Sequence, residues 1–387
     1  MLGSQQIRQK IATDLCINKK PINKNFIDKL EQILTILLRT YKNKQIYPEG
    51  KIMPLNMDYE INELQKDIFF LKRGENDFKK YLGKLHKTFD TEVNNGVNKM
   101  KNIAFKNFIT DRDGTINNYC SRYVTSVQPA YNAVFLTGFV KKYCIEKPII
   151  LTSAPLDNTG IVDISVNPEA VFIYAGSKGR EYIDKCGNRN SFPIEKEKQK
   201  KLDEFNKNLL RLLKNPEYSE FSFVGSGLQL KFGQTTIARQ DINNSVQNEK
   251  SVLFLNLIKQ LVKKIDPEEI FFRIEDTGKD IEVILTIEQN NKQEEIKDFD
   301  KGDAVKFLNN ELNLNLSEGP NLICGDTTSD IPMIKASMQY TNETYTLFVT
   351  DDEELKKKVT SICPNSFFVS QPDILVSILN DLALLCK

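Results

Sequence analysis

Over the first hundred residues, apolar positions recur at helical spacing. Leu30, Ile33, Leu34 and Leu37 mark one short amphipathic face, followed by a linker near Tyr47-Pro48-Glu49-Gly50. Ile61, Leu64, Ile68, Leu71, Phe78, Leu82, Leu85 and Phe89 then alternate threes and fours, the seam of a coiled coil, with Glu75 where one apolar residue is missing. Such a seam needs a partner, either the first helix in an antiparallel hairpin or a second subunit or other protein. From about residue 103 the pattern changes. Short apolar runs at 105–110, 149–152, 171–174, 322–324, 346–349 and 367–369 alternate with helical stretches, which predicts a doubly wound parallel α/β sheet.

Spacing locates an insertion. Only about 37 residues separate Thr115 from Thr152, enough for one crossover. About 150 residues separate Thr152 from Lys301, far more than an ordinary connection. Within that stretch 221–224, 228–232, 235–238, 270–274 and 281–287 read as strands, and 196–213 and 251–265 as helices, a small α+β cap. The expected organisation is a helical, coiled-coil-like segment at 1–100, a core at 101–177 and 297–387, and a cap at 178–296. A cap inserted there would close over the carboxyl ends of the core strands and exclude water from a small substrate.

The candidate chemistry sits at the ends of the apolar runs. Phe108-Ile109-Thr110 stops at Asp111-Arg112-Asp113-Gly114-Thr115. A buried parallel strand places reactive groups just beyond its carboxyl end, and alternation lets Asp111 and Asp113 address one ligand while Gly114 turns the chain. Pro148-Ile149-Ile150-Leu151 ends in Thr152, whose hydroxyl can donate to a phosphoryl oxygen. Lys301-Gly302-Asp303 follows, and then Asn321-Leu322-Ile323-Cys324-Gly325-Asp326 with Asp330 four positions on. In one pocket Asp111, Asp113, Asp326 and Asp330 would repel by about 4 kcal/mol per pair at 4 Å and an effective dielectric near 20. Lys301 alone cannot offset that, and a hard dication held by carboxylates can, which points to Mg2+.

Composition removes rival chemistries. The 387 residues carry a formal net charge of +1, which lends no support to a nucleic-acid or membrane-surface partner. No apolar stretch nears the roughly 20 residues that span a bilayer, and the start lacks a signal-peptide core, so a soluble, cytoplasmic protein is expected. Seven scattered cysteines without a Cys-x-x-Cys pair read as reduced thiols, and His86, the only histidine, argues against a Ser-His-Asp or Cys-His mechanism.

The four ordered motifs resemble those of the haloacid dehalogenase superfamily. The stretches Asp111 to Ser121, Gly176-Ser177-Lys178-Gly179-Arg180-Glu181, Gly225-Ser226-Gly227-Leu228-Gln229-Leu230-Lys231 and Ile323 to Met333 are similar to the nematode trehalose-6-phosphate phosphatases over roughly residues 105–375. The resemblance implies a Rossmann-like core with the cap between the second and third motifs, and hydrolysis of trehalose 6-phosphate with Mg2+. In that scheme Asp111 is the nucleophile, Asp113 the acid and base, and Thr152 and Lys301 hold the phosphoryl oxygens. Asp111, the carbonyl of Asp113 and Asp326 hold the metal, with Asp330 orienting its shell. In the cap the family's sugar contacts map onto Lys231 and Glu282, with Gln229 where a glutamate is usual and Gln240 where an arginine is usual; Arg180 is a further candidate. Phosphatases of other sugar phosphates, sugar phosphomutases of the same superfamily and a non-enzymatic scaffold role are the alternatives. The front helices leave room for a homo-oligomer or a protein partner.

Overall fold

The computed structural model describes residues 2–41, 45–46, 53–54, 56–120, 122–241, 244–287 and 297–385; the linker at 47–50 lies outside them. Four helices come first: α1 (Leu2–Cys16), α2 (Lys24–Tyr41), α3 (Asp58–Leu85) and α4 (Phe89–Met100), with a short pair, β1 (Gln45–Ile46) and β2 (Met53–Pro54), between the second and third. The core begins with β3 (Asn107–Thr110), α5 (Ala130–Lys142), β4 (Ile149–Leu151), α6 (Ile161–Ile164), β5 (Ile173–Gly176) and the hairpin β6 (Glu181–Ile183) and β7 (Arg189–Ser191). Next come α7 (Lys196–Leu213), β8 (Leu228–Lys231), β9 (Gln234–Ala238), α8 (Asn248–Ile265), β10 (Phe272–Asp276), β11 (Asp280–Ile287) and β12 (Lys297–Asp298). The chain then completes the core with α9 (Lys301–Leu312), β13 (Asn321–Gly325), α10 (Ile331–Tyr340), β14 (Thr344–Val349), α11 (Glu353–Ile362), β15 (Ser366–Val369) and α12 (Pro372–Leu385).

The main sheet runs β15-β14-β13-β3-β4-β5-β6-β7, parallel from β15 to β5 and antiparallel through the hairpin. The two central strands of its parallel part, β13 and β3, are buried along their whole length, as near-continuous apolar runs covered on both faces require. From β3 the chain moves to β4 on one side and later returns to β13 on the other, so a topological switch point lies at the carboxyl ends of β3 and β13. All six apolar runs read as core strands pair in this sheet. Helix α12 is apolar nearly all round, with Ile374, Leu375, Val376, Ile378, Leu379 and Leu382 buried, and it packs against α4, α5 and the sheet.

The second sheet, β10-β11-β9-β8 with β12 on β11, belongs to the inserted stretch. One face of it, with Ile237, Ile281, Val283 and Leu285, packs on α7 and α8 through Phe205, Leu209, Phe254 and Ile258. The run 221–224, expected as a strand, is a 3-10 turn (Ser219–Ser222) instead. Phe221 stacks on Phe254 at 3.8 Å and 9°, and Gly225 and Gly227 turn the chain with positive φ, so the run fills the core without pairing.

The long seam behaves differently from a continuous coiled coil. Helix α3 breaks at Gly74 (φ 76°, ψ 175°), next to Glu75 where the apolar repeat lapses. Glu75 pairs with Lys79 at 2.8 Å and accepts from Asn380 in α12 at 2.7 Å. Ile61 packs with Leu34 and Leu37 of α2, whereas Phe78 sits against Tyr131 and Phe135 of α5 with ring centroids at 4.8 and 6.3 Å. The seam's partners are thus α2 and the core helix α5 of the same chain. Phe89 begins α4 and does not extend α3. No helix among the described residues is long and apolar enough to cross a membrane.

Candidate active site

Strand register places the acids side by side. Thr110 pairs with Cys324, and the Asp111 N–H donates to the Cys324 carbonyl at 3.0 Å, so Asp111 and Asp326 leave adjacent strands at the switch point. Asp330 closes the 3-10 turn Thr328–Asp330, where its Oδ2 accepts from the backbone N–H of Asp326 and of Thr327, each at 3.0 Å. Lys301 is the first residue of α9, whose N-terminus Asp300 caps by accepting from the Gly302 and Asp303 N–H groups. Its Nζ donates to Asp111 Oδ1 at 2.6 Å and to Asp330 Oδ1 at 2.5 Å.

Asp111, Asp326 and Asp330 each present an oxygen, and these oxygens lie within 4.8 Å of one another. Burial pushes the Asp111 carboxyl up to about 7, with Lys301 pulling down and Asp330 pushing up. Burial also pushes Asp326 up to about 8, helped by Asp111. Asp330 stays below its ordinary value, because Lys301 and the two backbone N–H groups outweigh its burial. One lysine therefore leaves this group short of positive charge, and an all-oxygen donor set suits a hard divalent cation. The carboxylate of Asp113 stands outside the group of three, paired to Arg112 and within 3.3 Å of the Ser126 hydroxyl.

Gly114, at φ 84°, has a role beyond the turn. A Cβ there would lie 2.2 Å from Asp326 Oδ2 and 2.4 Å from the Tyr119 ring. Its absence lets Tyr119 lie across the loop and donate its hydroxyl to Asp326 Oδ2, while Thr115 donates to Asp111 Oδ2 at 3.1 Å and Asp326 Oδ1 at 3.3 Å.

The acids open into a cavity of about 230 Å³ whose other wall is the second sheet. Strand alternation explains which residues line it: Gln229 and Lys231 on β8, Thr236 on β9, and Asp280 and Glu282 on β11 share the face opposite the apolar one. Asp111, Asp113, Thr152, Lys301 and Asp326 line the same cavity, as do Tyr123 and Ser226. Glu282 receives Lys178 Nζ at 3.0 Å and lies 4.0 Å from Lys231 Nζ. Burial lowers the Lys231 ammonium from its ordinary value despite Glu282, and Glu282 itself is held low by Lys231 and Lys178 against its burial.

Arg180 is the expected sugar contact that the structure places elsewhere. It is buried at the joint between core and cap, donating to the Gly233 and Leu285 carbonyls at 2.8 Å each and lying over Phe299 at 5.1 Å. Two of its five N–H donors go to these carbonyls, and Arg180 is not among the residues that line the cavity. Gln240 is likewise engaged in its own turn with Val246, and Arg239 pairs with Asp276. Tyr119, Tyr123, Ser226 and Asp280 were missed by sequence reasoning. For Asp280 the signal was present, two positions before Glu282 on one strand; for the others it lay only in the long-range arrangement.

A family model described as the C-terminal part of trehalose-6-phosphate phosphatase matches residues 108–375, and one described as its N-terminal helical bundle domain matches residues 1–89. The UDP-forming alpha,alpha-trehalose-phosphate synthase 2 of Caenorhabditis elegans is 32% identical over 97% of this chain and 32% of that protein. The trehalose-phosphatase of the same nematode is 28% identical over 87% of this chain and 83% of its own length. A solved C-terminal domain of the C. albicans trehalose-6-phosphate phosphatase shares 14% identity with a TM-score of 0.48, covering 75% of this chain and 96% of that one. The chain spans about a third of the length of the synthase relatives.

Proposed function

Since this chain belongs to the trehalose-6-phosphate phosphatase family, we propose that it hydrolyses trehalose 6-phosphate to trehalose and phosphate. The observation that carries the reading is the single cavity in which Asp111, Lys301 and Asp326 face Gln229, Lys231 and Glu282. One set suits a phosphoryl group and the other a polyol. Asp111 attacks phosphorus in line, forming an aspartyl-phosphate as the P–O bond to the sugar breaks; Asp113 gives its proton to the departing oxygen and then takes one from the water that cleaves the acyl phosphate. Lys301 and Thr152 hold phosphoryl oxygens and offset the charge developing there. Asp111 and Asp326, the carbonyl of Asp113 and, through orientation, Asp330 would hold Mg2+, which when bound supplies charge neutralisation at the phosphate.

In the cap, Lys231, Gln229 and Glu282 bind sugar hydroxyls, a reading supported by their shared face and by the close approach of Lys178 to Glu282. The proposed division is helices at 1–100, a core at 101–177 and 297–387, and a cap at 178–296, supported by the separate second sheet, except that the hairpin β6–β7 at 181–191 pairs in the core sheet and belongs with it. On this reading the enzyme works in the cytoplasm, in keeping with its scattered thiols. The test is phosphate release from trehalose 6-phosphate, glucose 6-phosphate and other sugar phosphates, with Mg2+ and with chelator. Selective, metal-dependent release from the disaccharide is expected. Release from other esters alone would keep the aspartate chemistry and overturn the substrate, and isomerised sugar phosphate without free phosphate would identify a mutase.

A further inference from the structure

Tyr119 is 64% exposed, yet its hydroxyl reaches a buried acid. An exposed ring samples rotamers within nanoseconds, so such a bond holds an orientation only if the backbone carrying the ring is fixed. The preceding residue supplies that anchor. Asn118 donates through Nδ2 to Glu63 Oε1 and to Asp373 Oδ1, both at 3.1 Å. Glu63 comes from α3 and Asp373 from the first turn of α12, and both carboxylates are buried. Lys66 Nζ lies 2.6 Å from Glu63 and 3.0 Å from Asp373, and Asp373 also accepts from Tyr131 at 2.6 Å and faces His86 Nε2 at 2.8 Å.

The same face of α3 grips the loop at two more points. Tyr59 accepts from Asn117 at 2.6 Å and donates to the Val127 carbonyl at 3.0 Å, and Asp67 accepts from the Tyr131 N–H at 3.1 Å while pairing with Arg8 of α1. Residues 59, 63, 66 and 67 fall on one helical face. That face is polar and buried against the segment that follows the first aspartate motif.

We propose that Asn118 is a positioning residue for the acidic site. Anchored to α3 and α12, it sets Tyr119 so that the tyrosine hydroxyl occupies Oδ2 of Asp326, whose Oδ1 lies 3.3 Å from the Thr115 hydroxyl, and the two contacts together fix the plane of that carboxylate. The N-terminal helices thereby reach the reaction without touching substrate. The inference rests on reading Asp326 as a metal ligand, where hydrogen bonds to a ligating carboxylate commonly govern affinity by tenfold or more.

The test is Mg2+ binding by calorimetry to the full chain without substrate, for the wild type, Asn118→Ala, Tyr119→Phe and the double variant, with circular dichroism to confirm the fold. Each single change is expected to weaken Mg2+ about tenfold. The double variant is expected to bind no more weakly than Tyr119→Phe, because Asn118 acts only through that hydroxyl. Wild-type affinity in folded Asn118→Ala, or losses that add in the double variant, would overturn the inference alone. Absence of Mg2+ binding in the wild type would overturn it together with the reading of the metal site.

Discussion

Asp111 and Asp326 take up protons in the folded chain at pH values where an unfolded carboxyl, near 3.8, has lost them. With folded values pushed up to about 7 and about 8, these two groups contribute stability to the cation-free protein that is present below about pH 4 and is lost as pH rises to about 8. A bound dication reverses that trend, so the gain in Tm on adding Mg2+ is expected to grow over the same interval; a gain independent of pH would contradict the assignment. Asp111→Asn is expected to abolish turnover while leaving Tm close to that of the wild type, and an active, folded variant would exclude Asp111 as the nucleophile. Lys231→Ala should cost about tenfold or more in kcat/KM on the sugar phosphate, the range for a hydrogen bond to a charged group, with p-nitrophenyl phosphate turned over as before. Asp111 and Asp326 were legible as a pair because each follows an apolar run that becomes a buried strand, whereas Asp330 reaches them through the 3-10 turn Thr328–Asp330. The position of Arg180 was not legible, because its partners, the Gly233 and Leu285 carbonyls, are distant in sequence.

At the level of elements, the same contrast holds between local and long-range information. The helix 196–213 and the six core strands follow from periodicity, since one face or both must be covered. The stretch 221–224 has the apolar content of a strand but spends it on the cap core, where Phe221 stacks on Phe254, and the gap at Glu75 records a break at Gly74 that heptad counting passes over. Gly74→Ala isolates that break, because a Cβ at this position would meet nothing within 4 Å and only the positive φ resists it. The substitution is expected to lower stability by about 1 kcal/mol, read from the urea midpoint. No change, or a gain, would mean that α3 can run straight through.

Taken as a whole, the molecule joins distant parts of its sequence. Phe78 covers Tyr131 and Phe135, Lys66 of α3 binds Asp373 of α12, and Gly96 of α4 approaches Ile378 so closely that a Cβ would lie 2.5 Å from its Cδ1. A protein lacking residues 1–100 would expose that apolar face, and it is expected to be insoluble or aggregated by light scattering; a monodisperse, active product would refute the interdependence. The position of α12 also bears on how the chain is made. Translation delivers α3 and α4 some three hundred residues before the helix that completes their contacts, and a buried lysine and glutamate must wait that long for Asp373. The helices α3 and α4 therefore stay unfinished surface until α12 has been made, an interval set by the topology of the fold.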